Sequence, residues 1–195
     1  MTADRQIWWV RHGPTHQKTF CGWRDVPADL SDVAALARLS AGLPARAALV
    51  SSDLGRAVRT ADAIVGQRPR LPHHRDLREF DFGAWDGQTF DAVAQTDPAL
   101  SRAFWETPGD VAPPGGESWH KLAARVETAI AQLLPAAPAE GLIVVAHIGV
   151  ILTQVARARG HTPAQALAQN IRPLSASRLT YGASGRRAHQ VDHIF

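Results

Sequence analysis

Short apolar runs that stop abruptly at polar residues divide this chain. Ile7-Trp8-Trp9-Val10 ends at Arg11-His12-Gly13, and Leu142-Ile143-Val144-Val145-Ala146 ends at His147. Each run is too short for a helix and reads as a buried strand. Ala47-Ala48-Leu49-Val50-Ser51 gives another. Residues 174–181 and 188–195 alternate around Gly182-Ala183-Ser184-Gly185 and read as two closing strands. Residues 70–75 read as a further, more exposed strand carrying His73-His74.

Helical stretches separate these runs. One covers 32–40 and takes Ser31 as its cap; another takes Ser52 or Asp53 and runs to about 65. Short helices are expected over 91–94 and 98–106, and a long one over 119–134 behind Ser118. A helix over 149–159 is closed by Gly160. Residues 14–27 and 108–116, punctuated by glycine and proline, are loops. Strands alternating with helices predict an α/β fold, a three-layer α/β/α sandwich with a mostly parallel central sheet. No internal repeat and no second domain is evident, so residues 1–195 read as one domain.

The polar residues at the strand ends change the picture from fold to chemistry. Ligands of open α/β sheets bind beyond the carboxyl ends of the strands, where Arg11, His12 and His147 fall. Gly13 lets a ligand approach the backbone closely. Arg56 and Arg59, three apart, share a face in the first two turns of their helix. That helix start also favours an anion. Two histidines, several arginines and Glu79, each at an element boundary, suit phosphate chemistry.

Composition narrows the partners. The 195 residues are 45% hydrophobic and 20% charged, ordinary for a globular chain with a sizeable core. No apolar run approaches the roughly 20 residues needed to cross a bilayer, so no membrane partner is expected. The net charge of +3 raises a nucleic-acid surface. The arginines are dispersed, however, with Arg186-Arg187 the single adjacent basic pair, so anionic small substrates are preferred. The N-terminus lacks the apolar core of a secretion signal, and a single cysteine, Cys21, fits a reducing cytoplasm. Adjacent His73 and His74 face opposite sides of a strand, and His189 and His193 have no Cys or acid cluster near them. No metal and no cofactor are expected.

Four separated segments carry a resemblance: Arg11-His12-Gly13, Arg56-Ala57-Val58-Arg59-Thr60-Ala61, Leu77-Arg78-Glu79 through Trp85-Asp86-Gly87, and Ala146-His147-Ile148-Gly149. In this order, over residues 7–181, the chain resembles the histidine phosphatase superfamily, the phosphoglycerate mutase-like fold. The resemblance implies His12 as a phosphorylated nucleophile and Glu79 as proton donor. It implies Arg11, Arg56 and His147 as the rest of the phosphate pocket. It selects Arg56 over Arg59, which becomes a structural or rim residue. Gly13 and Thr15 are placed at the substrate, with Lys18 as a contact for substrate phosphate and Ser118, in Gly115-Gly116-Glu117-Ser118, on the substrate side. The chain departs from the pattern at Pro14 and Lys18, where relatives often carry Glu and Asn, and at Ile148, where they carry glycine.

The activity implied is metal-independent hydrolysis of a small phosphorylated metabolite, with 91–118 as an insertion covering the site. The alternatives are a cofactor-dependent phosphoglycerate mutase and a non-catalytic phospholigand-binding module. The absence of a long tail after 195 favours hydrolysis, and the loop motif also resembles α-ribazole phosphatases. A homodimer is compatible with this reading. Trp8 and Trp9 are expected in the core; Trp23, Trp85, Trp105 and Trp119 lie in segments open to two readings, a wall at the mouth of the site or ordinary core and surface packing.

Overall fold

The computed structural model describes residues 4–195. Five strands form one sheet: β1 (Arg5–Arg11), β2 (Ala48–Ser51), β3 (Leu142–Ala146), β4 (Ala176–Gly182) and β5 (Gly185–His193), in the order β2-β3-β1-β4-β5. The β2–β3 and β3–β1 ladders are parallel, and the β1–β4 and β4–β5 ladders are antiparallel. Four strands therefore run in one direction and β4 alone runs against them. The sheet is mixed because a tight Gly182–Gly185 turn makes β4 and β5 a hairpin. The parallel strands instead need helical crossovers.

Seven helices are present among the described residues: α1 (Val33–Gly42), α2 (Gly55–Ile64), α3 (Phe90–Thr96), α4 (Pro98–Glu106), α5 (Trp119–Leu133), α6 (Ile148–Arg159) and α7 (Pro163–Leu167). The two-residue period of the strands sorts the core into two faces. Val10, Leu49, Ile143 and Val145 pack against Leu36 and Leu39 of α1 and Ala57, Ala61 and Ile64 of α2. Ile7, Trp9, Val50 and Val144 pack against Leu122 and Val126 of α5 and Val150 and Val155 of α6. Every residue of β3 is buried, as expected of a central strand covered on both faces. The three-layer α/β/α architecture is as the alternation of elements implies.

Several local expectations are corrected. Asp32, not Ser31, caps α1, accepting from the Ala35 N–H. Neither Ser52 nor Asp53 caps α2; its N-cap is Leu54, which has no side-chain acceptor. Asp25 takes that role from a distant loop, accepting from the Gly55 N–H at 2.8 Å. Residues 70–75 form no strand; a single bridge joins Arg70 to Leu49. Pro69 and Pro72 deprive this segment of ladder donors. Helix α7 was not foreseen, although Thr162 and Gln165 build a reciprocal cap and Pro163 opens its first turn. Trp8 is only partly buried, stacked against Arg178 opposite it on β4.

Candidate active site

The parallel register of β1 and β3 builds the centre of the site. Arg11 lies opposite Ala146, so the next residues in each chain direction, His12 and His147, emerge side by side. Their rings are 5.0 Å apart, and both are buried. His12 Nδ1 lies 2.6 Å from the Gly13 carbonyl. A carbonyl can only accept, so Nδ1 carries the proton and Nε2 keeps its lone pair. Burial, reinforced by the charge on Arg56, holds the His12 pKa down at about 3, so the ring is neutral.

His147 has the opposite tautomer. Its Nδ1 accepts from Arg56 Nε at 3.2 Å, which leaves the proton on Nε2. That Nε2–H is buried without a partner. Burial, with Arg56 next in strength, holds this imidazole neutral as well, its pKa well below the usual histidine range. Arg11 Nε is likewise buried and unpaired, while the far end of the guanidinium donates to the Ile171 carbonyl.

Helix α2 brings in Arg56, which is almost wholly buried. Besides His147, it donates to the carbonyls of Arg24, Gly22 and Cys21. Four of its five N–H groups are thus taken by the protein, and it ties the 21–24 loop to His147. One turn later Thr60 accepts from the Gly13 N–H at 3.0 Å and donates to the Arg56 carbonyl at 2.7 Å. The threonine of the Arg-Ala-x-x-Thr-Ala pattern thereby fixes the backbone next to His12. Arg59 is exposed and away from the cavity wall.

Glu79 is buried and accepts from two backbone N–H groups, Phe80 at 2.9 Å and Gly149 at 3.1 Å. Burial raises its pKa despite those donors and the nearby arginines. The carboxyl group stands where a Cβ on residue 149 would be, so Gly149 is required for this approach. The ion pairs that could have occupied Glu79 go elsewhere. Arg78 pairs with Asp53 through two 2.7 Å bonds, and Arg125 pairs with Glu117. Arg125 also donates to the carbonyls of Asp76, Arg78 and Glu79, and the Trp23 indole N–H donates to the Glu79 carbonyl at 2.8 Å. The backbone carrying Glu79 is therefore held by two side chains that sequence reasoning left without a role.

Arg11, His12, Arg56 and Glu79 share one cavity of about 430 Å³. Its wall continues through Thr15, Gln17 and Thr19 to an aromatic side formed by Phe20, Phe80, Phe82, Phe90, Phe104 and Trp105. Helices α3 and α4 and their flanks thus cover the site, supplying Phe90, Phe104 and Trp105.

Three expected substrate contacts lie off the wall. Lys18 is exposed between wall residues Gln17 and Thr19, and Thr19 bridges to Thr89. Ser118 is buried as the cap of α5, accepting from Lys121 N. The absent Cβ of Gly13 makes room for Leu30 rather than for a ligand. His147 is wholly buried beside His12, its free Nε2–H the one polar atom it can offer a bound group there. Of the four tryptophans left open between the mouth and ordinary packing, Trp105 lines the cavity. Trp85 and Trp119 pack into the core, and Trp23 lies under Arg78. Among the described residues no group of three or more His, Cys, Asp or Glu side chains is placed to hold a metal, and no helix is long and apolar enough to cross a membrane.

A cationic pocket with neutral histidines at the carboxyl edge of an α/β sandwich defines the class. The chain belongs to the histidine phosphatase superfamily (branch 1), whose family profile matches residues 7–193. A bifunctional protein of Mycobacterium tuberculosis is 35% identical over 140 residues, 65% of this chain and 33% of that protein. The chain therefore aligns with about a third of the length of that relative. A 2,3-bisphosphoglycerate-dependent phosphoglycerate mutase of Methylocella silvestris is 33% identical over 136 residues, 63% of this chain and 65% of the mutase. Among solved structures, a mycobacterial glucosyl-3-phosphoglycerate phosphatase in complex with VO3 superposes with a TM-score of 0.80 at 28% identity, covering 96% of this chain and 98% of the other.

Proposed function

We propose that the protein hydrolyses a small phosphomonoester through a phosphohistidine at His12, with no metal ion in the reaction. The observation that carries this reading is the pair of buried, unpartnered donors, His147 Nε2–H and Arg11 Nε–H, on the two residues beside His12, whose Nε2 keeps its lone pair. Buried donors are ordinarily paired, so these invite an anionic acceptor.

The steps follow from the protonation states. His12 Nε2 attacks phosphorus while the bond to the leaving oxygen breaks. Arg11 and His147 donate to the equatorial oxygens. Arg56, with most of its donors already engaged, contributes charge and holds His147 in the donor tautomer. Glu79, its pKa raised by burial, gives its proton to the leaving alkoxide. Water then attacks the phosphohistidine, Glu79 accepts the water proton, and the P–N bond breaks. Inorganic phosphate leaves and His12 regains its lone pair. The roles of His12, Glu79 and His147 as catalytic residues, and of Arg11, Arg56 and Thr15 at the substrate, are part of this proposal. Lys18 and Ser118 have none in it, and Gly13 acts through its carbonyl, which holds the His12 tautomer, rather than at the substrate.

The mutase reading has a specific relative behind it, the Methylocella silvestris mutase. It differs in requiring that the phosphoryl group pass to a second substrate instead of to water. Hydrolysis of an aryl phosphate in EDTA by wild type and His12→Ala tests the proposal. Turnover that survives EDTA and vanishes in the variant is expected. EDTA-sensitive turnover that survives the substitution would contradict it. Phosphoglycerate isomerisation dependent on a bisphosphate primer, outpacing release of phosphate, would establish the mutase instead.

A further inference from the structure

The cavity is divided in its chemistry, and the second half is not used by any step above. The ionisable side chains on its wall that can carry or transfer a proton for phosphoryl chemistry are Arg11, His12, Arg56 and Glu79, all gathered at the strand ends. Away from them Phe20, Phe90, Phe104 and Trp105 form a continuous aromatic side, facing Ile148 and Leu167 from α6 and α7. The rings lock together: Phe20 and Phe90 lie 4.5 Å apart, and Phe104 and Trp105 meet edge to face at 5.0 Å. Phe20 is fixed by paired backbone bonds to Gln88 and Gly87, so the loop and the start of α3 present these rings as one unit.

The exposed end of this side is unusual. Phe90 is 50% and Trp105 39% exposed, two large apolar side chains standing together at the cavity mouth. Water-exposed aromatic area at the mouth of a concave site favours an apolar occupant. No lysine and no further arginine lines the wall, and Lys18 is exposed to solvent. A second phosphate or carboxylate on the substrate would lose its hydration against phenyl rings without gaining a cation. Neutral hydroxyl groups, by contrast, find acceptors and donors in Gln17, Thr19 and Asn170. A volume of about 430 Å³ leaves room for a ring beyond the phosphate.

We infer that the aromatic side is a leaving-group subsite for the phosphomonoester of an uncharged alcohol bearing a ring or a comparable flat apolar body. This rests on the phosphatase reading above and names its substrate class. It sets the chain against substrates whose leaving group is itself an anion, phosphoglycerates included.

The test compares esters of matched alkoxide leaving ability, so that chemistry does not masquerade as binding: phenethyl phosphate, ethyl phosphate and phosphoglycerate. Wild type should prefer phenethyl over ethyl phosphate in kcat/KM by roughly 10- to 100-fold, the worth of burying one ring. It should turn over phosphoglycerate more slowly than ethyl phosphate. Trp105→Ala, at a partly exposed position, should cut the phenethyl-to-ethyl ratio by about tenfold, mainly through KM. Trp105→Arg should shift preference toward phosphoglycerate. Equal rates for phenethyl and ethyl phosphate, or an equal loss for both in Trp105→Ala, would overturn the subsite while leaving phosphohistidine hydrolysis standing. If no ester is hydrolysed, calorimetry with phenethylphosphonate decides separately. Binding tighter than that of inorganic phosphate, and weakened by Trp105→Ala, supports the subsite although catalysis has failed. Binding no tighter than phosphate overturns it.

Discussion

Two buried polar clusters are finished differently. In the first, the Trp9 indole donates to the Tyr181 hydroxyl at 3.0 Å, and that hydroxyl donates to Gln154 Oε1 at 3.1 Å. Arg186 also donates to Gln154 at 2.9 Å and pairs with Glu127. Burial raises the Tyr181 pKa, so the phenol stays a donor. Two residues further along β1 the second cluster begins, and there Arg11 Nε and His147 Nε2 have no partner. A closed network of this kind holds the fold together, whereas open donors cost stability until an acceptor arrives. On the function proposed above, the contrast separates polar residues that build the sheet's packing from those that meet a ligand; an open donor alone does not mark a site, since Trp8 Nε1 and Arg178 Nε are also buried without partners.

Substitutions in the two clusters should therefore have opposite signatures. The largest effect belongs to the open cluster. His147→Ala should lower kcat by roughly 100- to 1,000-fold, the cost of one preorganised donor at a developing charge. Its chemical denaturation midpoint should fall too, because the bond from Arg56 Nε to His147 Nδ1 is lost, but under conditions where the variant is fully folded the loss of kcat should remain. Glu79→Gln should lower kcat by about 100-fold or more on alkyl esters. Since only the protonated carboxyl can serve the leaving group, wild-type kcat should decline as pH rises through the raised Glu79 pKa. The glutamine variant should lack that alkaline limb.

The closed cluster gives the reverse. Tyr181→Phe removes one hydroxyl from two hydrogen bonds and should cost about 1–3 kcal/mol by urea denaturation. Its kcat and KM should match wild type; a comparable loss of kcat would erase the distinction between the clusters. A last effect concerns acid. His12 has its pKa lowered from 6.5 to about 3, so between these values the unfolded chain binds a proton that the native one refuses. Stability contributed by the neutral ring is fully present above pH 6.5 and is lost as pH falls toward 3. The slope of unfolding free energy against pH over that window should be shallower in His12→Asn.

The strands and long helices were legible because burial on two faces leaves continuous or periodic apolar runs, as in 142–146 and 119–133. The bringing together of His12 and His147 was foreseeable from two strands that each end in histidine, although the register that places them side by side is a property of pairing. What remained hidden was tertiary. The Asp25 side chain that serves the start of α2 comes from 30 residues away in the chain. Trp23 and Arg125 act on Glu79 through its backbone carbonyl, which no side-chain pattern announces. Lys18 is exposed between two wall residues, Gln17 and Thr19, and Ser118, read as a cap, is buried as the cap of α5 and does not line the cavity. The aromatic wall drew on Phe20 and Phe90, whose side chains meet only once loop and helix are joined.

The central claim is that His12 Nε2 carries the phosphoryl group during turnover. Wild-type protein mixed with an aryl phosphate, stopped in alkali within the first turnovers and digested, should yield a single phosphorylated peptide bearing the label on His12. Steady hydrolysis with no phosphoryl group on that peptide, or with the label on another residue, would contradict the account.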